Sequence, residues 1–149
     1  MKNFPDKLAA IAITLWVGGL WAIAIAAWVL FANLSDKMLA GMLAGKLFTI
    51  IAYVSIACGG YLLILRLARY GAPAMKQAFF WAALIMLLLA IGGHFGIQPI
   101  LAGLKAQAMP KAVMESAFRG RFEAWHGVSS IVYLIESLLG LVLIFKQGK

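Results

Sequence analysis

The sequence predicts an all-α membrane protein folded as a four-transmembrane-helix bundle. Two observations carry that prediction. Of 149 residues, 64% are hydrophobic and only 12% charged, where a soluble domain is about half apolar and about a quarter charged. The apolar residues also fall into four runs, each long enough for the ~20 residues a spanning helix needs. Four such runs use most of the chain, so a single transmembrane domain, residues 1–149, is expected.

The first run covers about residues 8–34 and closes at Ser35-Asp36-Lys37. Its basic, then apolar start resembles a signal sequence. The uncharged stretch from Leu8 to Asn33 is too long for an ordinary signal core, and the expectation is a retained first helix. The second run, about 40–65, opens with Gly41 and Gly45 four apart and ends at Arg66. That spacing, like Gly18-Gly19 in the first run, reads as close helix packing. The third, about 77–104, carries Gly92-Gly93-His94 and then Pro99. The fourth spans about 123–145. Before it, the charged segment 110–122 starts at Pro110, and proline suits a first helical turn. Glu115, Arg119 and Glu123 repeat every four residues, so an extramembrane helical segment over about 110–122 is expected.

The formal charge of +8 could point to nucleic acid. Basic residues flanking membrane helices as anchors and topology signals account for it instead, and no nucleic-acid motif competes. The loop after Arg66 contains Arg69 and Lys76 and no acid, which places both termini on the cytoplasmic side. Cys58 is the only cysteine, so no internal disulfide or thiolate cluster forms. The chain has no phosphate loop, nucleophile elbow, H-E-x-x-H or cysteine pair, and a non-enzymatic role is expected.

The chemistry concentrates in the fourth run. On a helix turning 100° per residue, Arg119, Phe122, His126, Ser130, Tyr133 and Ser137 share one narrow stripe, with Glu136 at its edge. Polar groups in hydrocarbon need partners, so the stripe should face other helices or a wet cavity. His94 and His126, the only histidines, lie at similar depth on consecutive antiparallel helices. They could hydrogen-bond between helices, ligate haem b or a transition metal, or handle a proton or anion. Gly92, Gly93, Gly96 and Gly127 offer room for a ring. Glu136 stands roughly 15 Å deeper than His126, near mid-bilayer. There it serves either as a hydrogen-bonded structural group, as a proton relay or as a cation ligand. Ser129 and Ser130 either join this cluster or bond back to their own helix.

Taken together, L-W-V-G-G-L-W at Leu15–Trp21, V-L-F at Val29–Phe31, A-G-M-L-A-G-K-L-F at Ala40–Phe48, His94 with Pro99, and F-E-A-W-H-G-V-S-S at Phe122–Ser130 resemble the transmembrane protein 205-like family. These are four-span proteins, in bacteria largely a domain of unknown function. One departure is Trp28, where the family pattern has a proline shortly before the Leu-Phe pair. The W-x-G-G opening is also faintly similar to the copper-resistance D-type and protoporphyrinogen-oxidase-like membrane proteins. The resemblance implies a multi-pass protein of a bacterial inner membrane.

The expected site therefore comprises His94, Arg119, His126, Ser129, Ser130, Tyr133 and Glu136, binding or passing a small ligand or ion near the outer face. On this expectation His126→Ala abolishes binding. The competing expectation is a haem b or transition-metal redox protein using His94 and His126. A third is a structural subunit of a larger membrane complex. Beside the lipid bilayer, the expected partners are further copies of the chain, as a homo-oligomer, or a membrane-complex subunit.

Overall fold

The computed structural model describes residues 3–148. Four helical spans are long and apolar enough to cross a membrane: Phe4–Asn33, Lys37–Tyr70, Ala78–Ala108 and Arg119–Lys146. There is no strand among the described residues. The protein is an all-α, four-helix membrane bundle. The helices are α1 (Phe4–Asn33), α2 (Lys37–Tyr70), α3 (Ala78–Gly92), α4 (Gln98–Ala108) and α5 (Arg119–Lys146). The third span is α3 and α4 joined through a π-helical turn, Gly93–Ile97.

Local chemistry sets the ends. Asp36 caps α2, its Oδ1 accepting from the amides of Met38 (3.0 Å) and Leu39 (3.1 Å). Lys37 Nζ reaches back to the carbonyls of Phe31 (2.5 Å) and Leu34 (2.8 Å) at the end of α1. A basic group there meets unsatisfied carbonyls and the negative end of the helix dipole. Gly71, at φ 58°, ends α2 in a left-handed conformation open to glycine. α1 runs unbroken past Trp28 to Asn33.

Each span touches two neighbours: α1 packs on α2 and α5, and α3 packs on α2 and α5. The centre of this ring is filled by Trp16, Leu20, Leu62, Met86 and Leu143, all essentially without exposed surface. Three glycines permit the close approach. A Cβ on Gly19 would lie 2.6 Å from Ile51, one on Gly59 2.9 Å from the Trp16 ring, and one on Gly140 2.9 Å from Val17. Gly45 meets nothing, and Gly41 only ordinary contacts with Lys105 and Phe31. The G-x-x-x-G spacing is thus not the seam that packs α2. Outside the ring, large apolar side chains such as Ile25, Ile50, Ile64 and Ile131 are exposed, as lipid-facing positions require.

The helix expected over 110–122 does not form. Met109 and Ala112 are extended, at ψ 141° each. A short 3-10 turn covers Val113–Glu115, Ser116 is extended again, and α5 starts at Arg119. The cause is local. Pro110 pushes the residue before it out of the helical region. Ser116 Oγ then bonds the Val113 carbonyl (2.7 Å) and accepts the Phe118 amide (3.2 Å), competing with helix. Glu115 and Arg119 consequently share no helix, whereas Arg119 and Glu123 pair at 3.1 Å on the exposed first turn of α5.

Candidate functional site

The π-turn in the third span follows from Pro99. Proline lacks an amide hydrogen, and its ring collides with the carbonyl four residues back. The backbone widens by one residue instead, and the Gln98 amide bonds the carbonyl of Gly93. Such turns recur at functional sites. His94 lies within this one. Its ring meets Tyr53 edge-on (centroids 5.1 Å) and Phe95 (4.8 Å). Its Nδ1 is buried with no hydrogen-bond partner among the described residues.

His94 lines a small central cavity with Ser129, Tyr133 and Glu136, joined by Ser55, Gln98 and Phe48. Glu136 is 4% exposed. Its Oε1 accepts from Trp16 Nε1 of α1 and from Ser55 Oγ of α2, both at 3.4 Å. Tyr133 is held firmly, its hydroxyl donating to the Leu20 carbonyl at 2.5 Å and its ring standing edge-on to Phe48 at 5.2 Å. Ser55 Oγ also lies 2.7 Å from the Ile51 carbonyl, so its one proton is shared between that carbonyl and Glu136.

Magnitudes bear on the form in which Glu136 can be held at mid-span. Interhelical hydrogen bonds in membranes average about 0.6 kcal/mol. Two long ones fall short of the ~2.5–3.5 kcal/mol that a charge costs at mid-helix. That cost falls on the charged form alone, and a neutral carboxyl can be held here by such bonds.

The structure divides the expected stripe. Ser129, Tyr133, Glu136 and His94 share the cavity, but Arg119, His126 and Ser130 do not line it. His126 is exposed and stacks on Phe122 (centroids 5.8 Å, 9° between planes). Ser130 is exposed and bonds back to the His126 carbonyl at 2.9 Å. Arg119 is exposed and paired with Glu123. Helix geometry is the reason: at 100° per residue the inward face of α5 is Ser129, Tyr133, Glu136, Gly140 and Leu143, and Ser130 lies well round from its centre. Ser137 is buried, its hydroxyl bonded to the Tyr133 carbonyl at 2.8 Å.

Trp16 and Ser55 are the partners that sequence reasoning missed. Each sits alone among apolar neighbours, with no local pattern to tie it to a carboxylate 120 and 81 residues away. A mid-span tryptophan, far from either interface, was the available signal.

Haem does not fit this arrangement. His94 lines the cavity beside Tyr53 and Phe95, whereas His126 is exposed, stacks on Phe122 and does not line it. The cavity measures about 50 Å³, against roughly 300–1,000 Å³ for ordinary ligand pockets. A water needs at least ~10–15 Å³ on the same measure, so the space suits a few waters or a small ion. No group of three or more His, Cys, Asp or Glu side chains that could hold a metal occurs among the described residues.

Residues 11–110 match a family model described as a domain of unknown function, DUF4149. The match covers about two thirds of the chain. The chain belongs to this family. No curated protein and no solved structure matches it. The matched region includes Trp16, Ser55 and His94, while α5 with Glu136 lies beyond it.

Proposed function

We propose that this membrane protein binds or passes a proton or a small monovalent cation at the Glu136 cavity. The observation that carries the reading is one carboxyl, buried at mid-span, with one oxygen within hydrogen-bond reach of two other helices and the side chain lining a cavity of water dimensions. His94, with its unpartnered Nδ1, stands toward the end of the bundle away from the termini. Glu136 would take a proton or cation from the cavity, and His94 would relay protons at its mouth.

Further parts of the proposal are a bacterial inner-membrane location and cytoplasmic termini. They rest on the basic, acid-free loop from Arg66 to Lys76. With that orientation the cavity faces the outer side. We also propose kinship with the transmembrane protein 205-like proteins, supported by F-E-A-W-H-G-V-S-S at Phe122–Ser130, beyond the residues matched by the family model.

The test is flux in proteoliposomes containing a pH-sensitive dye, with a potential set by potassium and valinomycin, repeated under a sodium gradient. Wild type should dissipate the gradient of the transported ion, and Glu136→Gln should cut that rate at least ~10-fold, the loss of one essential group in the path. Equal rates for both proteins would overturn the reading and leave a structural subunit as the better description.

A further inference from the structure

A second cavity, about 250 Å³ and thus five times the size of the first, opens at the end of the bundle that carries both termini. Its floor is apolar, with Ile13, Leu62 and Leu65, and its wall carries Arg66 and Arg69. We propose that this cavity binds a phosphate-ester anion, through two guanidinium groups set one helical turn apart above an apolar floor.

Arg66 is the fixed element. It is 8% exposed, lies 4.0 Å over the Phe79 ring, and donates to the Gln77 side chain (2.9 Å) and the carbonyls of Lys146 (3.4 Å) and Gln147 (3.2 Å). Its charge is therefore built into the wall. Arg69 is the movable element, paired with the partly exposed Asp6 across the cavity. A guanidinium fork pairs bidentately with two oxygens of a phosphate, as it does with a carboxylate. An incoming phosphate would displace Asp6 from Arg69, so Asp6 acts as an internal competitor. Exposed Lys7, Lys76 and Lys146 at the same end raise the local concentration of anions.

Two sources share this chemistry: the headgroup of an anionic phospholipid and free phosphate. The apolar floor suits the glycerol and upper acyl carbons of a lipid. Arg69 and Asp6 give variants of opposite sign. In the full-length protein in mild detergent, binding of phosphatidylglycerol, phosphatidylcholine and inorganic phosphate is measured by native mass spectrometry and by thermal shift. The expected result is binding that falls roughly tenfold in Arg69→Gln, the loss of one charge-assisted contact, and rises in Asp6→Asn. If phosphatidylglycerol follows this pattern and phosphate does not, the source is lipid; if inorganic phosphate alone follows it, the source is the free anion. Absence of binding by either, or affinities that neither substitution changes, overturns the proposal. The Asp6→Asn arm keeps the test decisive even where Arg69→Gln weakens the fold.

Discussion

Trp16 Nε1 donates to Glu136 Oε1 at 3.4 Å, joining the first and last spans at the centre of the bundle. The same carboxyl oxygen receives Ser55 of α2. Three spans therefore converge on one atom, and the third span adds His94 to the cavity beside it.

Trp16→Phe keeps a large ring in the core and removes the donor. The expected loss is about 0.6–1.7 kcal/mol, seen as a lower midpoint for thermal unfolding in detergent. A variant as stable as wild type would mean that the long hydrogen bond contributes nothing.

Glu136→Gln retains an acceptor oxygen for Trp16 and Ser55 while removing a group whose charged form is costly at this depth. Stability should hold or rise by roughly 1 kcal/mol, even as flux is lost. A fall in stability together with flux would instead mark the carboxylate as a structural group.

Gly59→Ala places a methyl 2.9 Å from the Trp16 ring and 3.2 Å from Leu87. Overpacking of this kind costs about 1–3 kcal/mol, and the displaced indole should loosen its hold on Glu136. Gly45→Ala is the matched control, since nothing lies near its Cβ. Denaturation curves of the two variants should separate clearly, and coincident curves would count against the packing assigned to Gly59.

The two histidines should behave differently. His94→Ala removes a cavity wall and should slow flux severalfold, whereas His126→Ala, on the exposed side of α5, should leave it unchanged. A flux assay on both variants checks this. A defect confined to His126 would restore the arrangement expected from the stripe. A visible spectrum of the same preparations tests haem directly: a Soret band lost on substitution of either histidine would return the redox reading.

The class of protein and the number of spans were legible in the chain itself, because they depend on hydropathy and on a fixed rise per residue. Lipid enforces those rules regardless of which helix neighbours which. Helix rotation was not legible. Along α5 the candidate polar stripe and the face that turns inward differ by only part of a turn. That offset separates Tyr133, anchored on Leu20, from Ser130, which is exposed and bonded to its own helix. Partners distant in sequence were equally hidden: Trp16 and Ser55 meet Glu136 only because Gly59 lets the indole nest against α2 and Gly140 lets α5 close on Val17. Hydropathy determines that a helix lies in the membrane, while side-chain packing between helices decides which way it turns, and the site exists only at that second level.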